Sequence, residues 1–314
     1  MEIHWHWLIV IYLFLGGLGS GAYLTSFAAE KGWLGKNSSL ARAGYYLSGP
    51  LVAIGTSLLV LDLGQGFHQP WLLIRLILNV QSVMTWGVYI LSAFIIVGVI
   101  KGYAVFKHIK IPAALTWAGT VLALATGTYS GLLLSVVDAV PFWNSPVMPF
   151  LFVVSGLSTG LSATCLLAPL VEKGSINEGR EGQVHLGVVG LELIIATIFF
   201  GTMLMGINGP IGVESAKIVL IGRYAIVFWG YFVGLGLIIP LIVYLLQFIK
   251  ARKESKLHLT QIDFSNTEQA AASENGHHSY LNKFTDVAVL IAGLALRALI
   301  LFSALPLWDG VSIL

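Results

Sequence analysis

Long apolar segments alternate with short polar ones along the whole chain. Each apolar segment has about the 20 residues that an α-helix needs to cross a bilayer. The eight segments are 7–29, 41–61, 83–105, 112–137, 146–170, 184–206, 219–249 and 282–304. The strands of a membrane β-barrel alternate apolar and polar residues instead. The pattern therefore predicts an all-α membrane protein with eight transmembrane helices.

The composition supports a membrane protein and argues against other classes. Of the 314 residues, 57% are hydrophobic and 10% are charged, and the mean hydropathy is +0.86. The net charge of +2 gives no basic surface for a nucleic acid. One cysteine, Cys165, is too few for an iron–sulfur cluster, and one histidine near the interior of a predicted span, His185, is too few for a haem with two axial histidines. We therefore expect neither group in this chain.

The basic residues predict how the helices are oriented. If the helices alternate in direction, 13 of the 17 lysines and arginines lie in the loops on one side and 4 on the other. The side with more basic residues faces the cytoplasm. Both termini are then extracytoplasmic, and the polar loop at 250–282 is cytoplasmic and expected to be mobile. The N-terminus lacks the basic region of a cleaved signal peptide, so we interpret the first segment as an uncleaved span of the inner membrane.

Two stretches of the chain resemble each other. GLGSGAYLTSFAAEKG (17–32) is similar to GLSTGLSATCLLAPLVEKG (156–174), and both belong to helices that begin on the same side. A duplication of four helices would produce this repeat, although glycine-rich spans also resemble one another by chance. The repeat predicts two tandem four-helix bundles, formed by residues 1–142 and 143–314.

Both stretches contain two glycines four residues apart. The pairs are Gly17 with Gly21 and Gly156 with Gly160. This spacing lets helix backbones approach closely in lipid. We expect tight helix packing at these positions.

Polar and aromatic residues of the first four predicted helices and of the turn after them collect at the extracytoplasmic end. They are Tyr12, Asp62, Trp86, Tyr129, Ser130 and Asn144. The middles of the same helices are almost wholly apolar. A pocket with an apolar interior and a polar mouth suits an amphipathic, lipid-soluble molecule such as a quinone.

Each part of a quinone has a candidate partner among these residues. Tyr12 and Tyr129 could hydrogen-bond the ring oxygens, and Trp86 could stack on the ring. Asp62 could accept protons from the quinol. Because we expect no redox centre in the chain, electrons would pass directly to a cluster in a partner docked at the extracytoplasmic face.

Several of these residues also have a structural interpretation. Tyrosine and tryptophan collect at membrane interfaces as anchors. Taken alone, four aromatic residues are interpreted in this way: Trp5, Trp7, Trp143 and Tyr12. Asp62 could instead cap the loop that follows it.

Two ionisable residues lie inside later predicted helices. Glu192 falls in the sixth and Arg297 in the eighth, where either is costly unless it is paired or faces water. They could line a proton path or make structural hydrogen bonds to neighbouring helices. Their different depths in the membrane argue against a direct pair.

Seven ordered stretches resemble the NrfD-like family, the membrane subunits of polysulfide-reductase-type complexes. They are YLFLGGLGSGAYL (12–24), LLVLDLG (58–64), SVMTWGVYIL (82–91), TYSGLLLS (128–135), VPFWNSPVMPFLFVVSGLSTG (140–160), GLELIIA (190–196) and LALRALILFSA (294–304). They touch every predicted helix except the seventh.

The resemblance implies an eight-helix anchor without a cofactor of its own. Such a subunit binds menaquinol near the extracytoplasmic surface and passes electrons to a four-cluster, ferredoxin-like iron–sulfur subunit, which serves a molybdopterin catalytic subunit. The family's quinone pocket uses the start of the first helix and a tyrosine of the fourth, which correspond here to Tyr12 and Tyr129. Asp62, Glu192 and Arg297 match polar positions of the family's helices.

The sequence also departs from the family pattern. Some members place an asparagine and a histidine one turn apart at the start of the first helix, where Ile9 and Tyr12 stand here. One hydrogen bond to the quinone is then missing, or it is supplied by another residue, for which His6 and Gln81 are the candidates. Relatives also often carry an arginine after the LDLG run, where this chain has Gln65.

We therefore expect a membrane anchor that oxidises menaquinol for a respiratory oxidoreductase, with the terminal reductase chemistry in a partner. Two other functions stay open. A proton-coupled secondary transporter would explain Glu192 and Arg297, although transporters often use inverted repeats and break helices near the bilayer midplane. A purely structural membrane anchor is the third.

Overall fold

The chain folds into a set of helices. The computed structural model describes residues 7–34, 38, 40–62, 79, 82–171, 178–258 and 268–307, and within them no strand is present. The α-helices are α1 (Trp7–Glu30), α2 (Leu40–Asp62), α3 (Val83–Phe106), α4 (Ala113–Ser135), α5 (Met148–Val171), α6 (Glu178–Leu204), α7 (Gly209–Leu220), α8 (Ile239–His258) and α9 (Glu268–Phe302). A π-helical segment, Val227–Ile238, leads directly into α8.

Eight helices in the described residues are long and apolar enough to cross a membrane, as the sequence predicts. Helices α1 to α6 each supply one. The π-helical segment and α8 together form a seventh, Val227–Lys250, and the last part of α9, Tyr280–Phe302, forms the eighth. Helix α7 has 12 residues and is too short to span a bilayer.

The largest differences from the predicted boundaries lie in the second half of the chain. The seventh span was predicted to begin at residue 219, but it begins at Val227, and a separate short helix, α7, ends before it at Leu220. Gly206 and Gly209, with φ values of 75° and 80°, separate α6 from α7 in a conformation that glycine adopts readily. Around the loop predicted at 250–282, α8 continues to His258 and α9 begins at Glu268, so both flanking helices extend into it.

Helix α1 lies between several others and contacts α2, α4, α5 and α9. Glycines bring its backbone into direct contact with that of α5. A β-carbon at Gly21 would overlap the carbonyl group of Gly156, and one at Gly156 would lie 3.0 Å from the carbonyl oxygen of Gly17. The predicted close packing at the two glycine pairs is confirmed, and the two pairs are each other's partners.

At one end of the helices, the turn between α4 and α5 is hydrogen-bonded to α9 and to the segment that follows α9. Trp143 in this turn donates a hydrogen bond from Nε1 to the carbonyl oxygen of Ile300 at 2.8 Å, and the amide of Leu307 donates to the carbonyl oxygen of Ala139 at 2.8 Å. The ring of Trp7 at the start of α1 packs on Phe302, with centroids 5.0 Å apart. We call this side the Trp7 end.

At the other end of the molecule, a polar cluster connects the first four helices. Lys101 Nζ lies 3.0 Å from Glu30 Oε2 and donates to Thr116 Oγ1 at 2.9 Å, while the Tyr45 hydroxyl donates to Glu30 Oε2 at 2.6 Å. The four side chains come from α1, α2, α3 and α4. We call this side the Glu30 end.

The interpretation of the aromatic residues as interfacial anchors is wrong for two of them. Trp143 and Tyr12 are buried, and Trp143 uses its indole nitrogen inside the protein. Trp7 is 58% exposed, as an anchor would be. Trp5 lies outside the described residues.

Candidate functional site

Tyr129 of α4 is held against the backbone of α3. Its side chain is buried, and a β-carbon at Gly87 would overlap the hydroxyl and ring carbons of Tyr129. The phenol therefore occupies space that only a glycine on α3 leaves open. This contact fixes the position of the Tyr129 hydroxyl at the Trp7 end.

Tyr12 of α1 comes close to Tyr129. Tyr12 is buried as well, and the two phenol groups are near enough to interact electrostatically. Leu13, Val10 and Leu134 belong to the same apolar core. Two phenol groups from different helices thus influence each other electrostatically within a mostly apolar core.

The other predicted site residues are placed differently. Ser130 is buried next to Tyr129 in the chain, and its hydroxyl donates to the carbonyl oxygen of Gly127 in its own helix at 2.7 Å. Trp86 is 54% exposed and packs edge-on against Tyr89, with centroids 6.4 Å apart, instead of being buried beside the tyrosines.

Asp62 and Asn144 lie at helix ends. Asp62 is the last residue of α2 and is partly buried. The side-chain amide of Asn144 donates to Asp138 Oδ1 at 2.8 Å, which braces the turn after α4. The Asn208 side chain, just before α7, donates to the carbonyl oxygens of Pro141 and Asn144 in the same turn. Gln81 and His6 lie outside the described residues.

Glu192 and Arg297 meet at a shared serine, Ser155 of α5. Arg297 donates from Nη1 to Ser155 Oγ at 2.9 Å, and the Glu192 carboxyl lies beside the hydroxyls of Ser155 and Ser158. Both ionisable side chains are buried, and they are near enough to interact electrostatically. Glu192 and Arg297 were predicted at different depths in the membrane, and Ser155 lies between them and contacts both.

The remaining donors of Arg297 connect α9 to α1. Nε donates to the carbonyl oxygen of Leu13 at 3.3 Å, and Nη1 also donates to the carbonyl oxygen of Gly293 at 2.7 Å. Nη2 has no hydrogen-bond partner in the described residues, and a β-carbon at Gly17 would lie 2.7 Å from it. Because Leu13 follows Tyr12, the guanidinium group is anchored one residue away from the tyrosine pair.

A second buried cluster, which the sequence did not predict, lies nearer the Glu30 end. His185 of α6 is stacked on Tyr244 of α8, with centroids 4.6 Å apart, and its Nε2 lies 3.7 Å from Asp286 Oδ1 and 3.5 Å from Cys165 Sγ. The Tyr244 hydroxyl donates to Asp286 Oδ1 at 3.4 Å. Glu181, one turn before His185 on α6, is close to Cys165. We call these five residues the His185 cluster.

Part of the His185 cluster has side chains of the types that bind metals. The ligand atoms of Cys165, Glu181 and His185 lie within 4.8 Å of one another. Thiolate, carboxylate and imidazole groups suit a zinc-like divalent ion. The same groups also suit proton exchange, because each can gain and lose a proton.

One signal in the sequence pointed to this cluster. Glu181 and His185 are four residues apart and therefore share a face of α6. The predicted span began at residue 184, which placed His185 at a helix end, whereas α6 begins at Glu178. Cys165 and Asp286 come from other helices, and no local pattern could show that they meet His185.

These observations define a polytopic α-helical membrane protein with buried hydroxyl and ionisable side chains at the helix contacts. The chain belongs to the NrfD family, described as polysulphide reductase, whose model matches residues 1–257. The resemblance stated from the sequence is thus confirmed. The match ends before α9, so the structure alone shows how Asp286 and Arg297 join the buried clusters.

Proteins of several bacteria are similar to this chain over most of its length and of theirs. The C subunit of polysulfide reductase from Wolinella succinogenes is 32% identical over 266 residues, covering 76% of this chain and 82% of that protein. An NrfD homolog of Haemophilus influenzae is 31% identical over 271 residues, covering 76% and 82%. Protein NrfD of Escherichia coli K12 is 29% identical over 273 residues, covering 76% and 83%.

Proposed function

We propose that this chain is the membrane anchor and quinol-oxidising subunit of a respiratory oxidoreductase. The observation that carries the proposal is the pair Tyr12 and Tyr129, which α1 and α4 bring together at the Trp7 end. The family membership supports a role as a membrane subunit of such a complex. Menaquinol is the proposed substrate, bound with its ring near the two phenol groups and its tail among the helices.

The proposed chemistry divides between this chain and a partner. Oxidation of a quinol removes two electrons and two protons. The tyrosine hydroxyls would hydrogen-bond the ring oxygens, and Asp62 at the end of α2 would accept protons and pass them to water. Electrons would leave for an iron–sulfur cluster of a subunit docked at the Trp7 end. Four residues are the further proposed contacts of the quinone: Trp86, Ser130, Asn144 and Gln81.

We propose two four-helix bundles, residues 1–142 and 143–314, with the Trp7 end and both termini extracytoplasmic. Contacts of α1 with α2, of α2 with α3, of α3 with α4 and of α4 with α1 support the first bundle. The excess of basic residues on the other side supports this orientation in the inner membrane.

The proposed partners follow from a relative's name. The protein of Wolinella succinogenes is named as the C subunit of polysulfide reductase, which implies other subunits in its complex. We propose that the partners here are a four-cluster, ferredoxin-like iron–sulfur subunit and a molybdopterin catalytic subunit. The terminal reductase chemistry would then lie outside this chain.

A Tyr129→Phe variant tests the proposed quinol site. The variant keeps the ring against Gly87 and removes the hydroxyl, so quinol-driven electron transfer in the purified complex should fall about tenfold, the equivalent of one hydrogen bond worth about 1.4 kcal/mol. The matched control is Tyr23→Phe, which removes a buried hydroxyl that donates to the carbonyl oxygen of Thr116 at 3.2 Å. Equal rates in both variants and the wild type would mean that Tyr129 is not part of the quinol site.

A proton-coupled transporter is the second candidate, because Glu192 and Arg297 form a buried polar group in the membrane. We propose instead that they belong to a proton path beside the quinol site. Quinone extraction from the purified complex separates the two functions. Only the quinol-oxidising subunit requires a menaquinone that binds to the complex and is reduced or oxidised by it.

A further inference from the structure

Four side chains of the types that bind metals lie together in the His185 cluster. They are Cys165 of α5, Glu181 and His185 of α6, and Asp286 of α9. Three of the four are buried, and Glu181 is partly buried. Acidic and histidine side chains are rare inside membrane proteins, where they are costly unless they are paired or bind an ion. A group of this composition therefore points to a ligand.

The distances between the ligand atoms fit a single tetrahedral ion. With a Zn–S bond of about 2.3 Å and a Zn–N bond of about 2.0–2.1 Å, the sulfur and nitrogen ligands of one zinc ion lie about 3.5–3.6 Å apart. Cys165 Sγ and His185 Nε2 are 3.5 Å apart. Nitrogen and oxygen ligands of one zinc ion lie about 3.3–3.5 Å apart, and His185 Nε2 is 3.7 Å from Asp286 Oδ1. The ligand atom of Glu181 lies within 4.8 Å of those of Cys165 and His185. Small side-chain adjustments would place all four around one ion.

Two of the ligands come from one face of α6. Glu181 and His185 are four residues apart, and side chains at this spacing are neighbours on a helix. Zinc motifs on helices use the same spacing for a pair of ligands, as the two histidines of HExxH do. Cys165 and Asp286 complete the set from two other helices. An ion bound here would therefore connect α5, α6 and α9.

Tyr244 of α8 orients two of the ligands without being one itself. Its ring is stacked on the ring of His185, with centroids 4.6 Å apart and an angle of 19° between the planes. Its hydroxyl donates a hydrogen bond to Asp286 Oδ1 at 3.4 Å. Outer contacts of this kind hold the ligands of metal sites in position. The imidazole and the carboxylate are thus held beside each other by a residue that lies outside the set of four.

The ligand types indicate which class of metal fits. One thiolate, one imidazole and two carboxylates make four ligands, the number that a structural zinc site uses. Magnesium and calcium prefer six or more ligands, nearly all of them oxygen. The thiolate of Cys165 and the carboxylate of Glu181 carry two negative charges, which balance the two positive charges of a zinc ion. This balance lowers the cost of burying the charges together.

We propose that four side chains form a structural zinc site: Cys165, Glu181, His185 and Asp286. The ion holds α5, α6 and α9 together near the Glu30 end. With four protein ligands it has no open position for a substrate, and zinc does not change its oxidation state, so the site takes no part in electron transfer. The inference is independent of the proposed function, because the proposed quinol site lies at the Trp7 end.

The first experiment measures zinc in the whole complex. The complex is purified without a chelator and without a histidine tag, and its zinc is measured by mass spectrometry of the elements. His185→Ala should contain about one zinc ion less per copy of this chain than the wild type, because one ligand of the four is lost. The matched control is His108→Ala, which removes an exposed histidine after α3 and should keep the wild-type zinc content. Equal zinc in the wild type and His185→Ala overturns the site.

The second experiment identifies the ligands. X-ray absorption at the zinc edge of the wild-type complex should show a Zn–S distance of about 2.3 Å beside Zn–N and Zn–O distances of about 2.0–2.2 Å. The sulfur neighbour should be lost in Cys165→Ala. A zinc ion with no sulfur neighbour, or one whose sulfur neighbour persists in Cys165→Ala, is an adventitious ion only and overturns the site. A direct hydrogen bond between Cys165 and His185 would then explain their distance.

The third experiment tests whether the ion is structural. Removal of zinc by a chelator should lower the temperature at which this chain unfolds in the complex, and added zinc should restore it, because an ion that binds only the folded state stabilises that state. Tyr244→Phe keeps the stacked ring and should respond in the same way. Glu181→Gln keeps the size of the most exposed ligand, so it should fold and should lose its zinc at a lower chelator concentration than the wild type. A wild type whose unfolding temperature stays the same after its zinc is removed overturns the structural role.

Discussion

Gly21 of α1 lies directly against the backbone of Gly156 on α5, so that a β-carbon at Gly21 would overlap the carbonyl group of Gly156. The contact brings together the two halves of the sequence that resemble each other. It also fixes the position of α5 relative to α1, and therefore the position of Ser155 relative to Leu13 and the tyrosine pair. A change at this contact should affect both folding and the site.

Gly21→Ala should destabilise the protein by at least about 1–3 kcal/mol, because the added methyl group meets backbone that cannot rotate away. Gly16→Ala on the same helix is the matched control, since a β-carbon there meets nothing within 4 Å. It should be neutral or stabilising by up to about 1 kcal/mol, as alanine is less flexible than glycine in the unfolded chain. Denaturant unfolding in detergent measures both variants. Equal stability of the two would show that α1 and α5 are not held by this contact.

Gly87→Ala should displace the ring of Tyr129, because the new methyl group would occupy the position of the phenol. A displacement of about 1 Å at a reacting group can lower a rate about 10²-fold, so quinol oxidation should fall by that order. The overlap should also destabilise the protein by about 1–3 kcal/mol. Steady-state kinetics with a soluble menaquinol analogue measures the effect. Wild-type kinetics in this variant would contradict the placement of Tyr129 in the quinol site.

The cause can be checked in a second background. In a Tyr129→Leu protein the smaller side chain leaves room for the methyl group. Gly87→Ala should then have a much smaller effect on stability than it has in the wild type. A cost that stays the same in both backgrounds would mean that the methyl group disturbs α3 itself and not the contact with Tyr129.

The sequence predicted the features that depend on one helix at a time. Apolar segments long enough to span a bilayer identified all eight spans, because a helix in lipid satisfies its own backbone and needs no partner. The glycine spacing also predicted close packing correctly, since the requirement for small residues is local. The π-helical start of the seventh span and the separate helix α7 were missed, because continuous apolar sequence carries no mark of a change in helix type.

Features that depend on contacts between helices were predicted less well. Tyr12 and Tyr129 were expected at the same end, and they are near enough to interact electrostatically. Trp143 looked like an interfacial anchor, but it is buried because its indole donates to Ile300, which is 157 residues away in the chain. The His185 cluster draws on α5, α6, α8 and α9, and the order of residues within any one helix does not show which faces meet.

Removing Arg297 alone should destabilise the protein more than removing Arg297 and Glu192 together. Arg297→Met leaves the buried Glu192 carboxyl without its positive neighbour and frees the carbonyl oxygen of Leu13. Breaking a buried pair by removing one partner costs about 3–5 kcal/mol. Arg297→Met should therefore unfold at clearly lower denaturant concentration than the wild type. Glu192→Gln alone should cost less, because the amide can still hydrogen-bond Ser155.

The double variant decides between a coupled pair and two independent residues. In Arg297→Met/Glu192→Gln no charge stays buried at Ser155, so the double variant should be more stable than Arg297→Met alone. A double-mutant cycle on the free energies of unfolding gives the coupling between the two side chains. Additive costs would mean that each residue is held by separate hydrogen bonds. Arg297→Lys completes the series, since lysine keeps the charge but cannot reach Leu13, Ser155 and Gly293 at once, and it should be intermediate in stability.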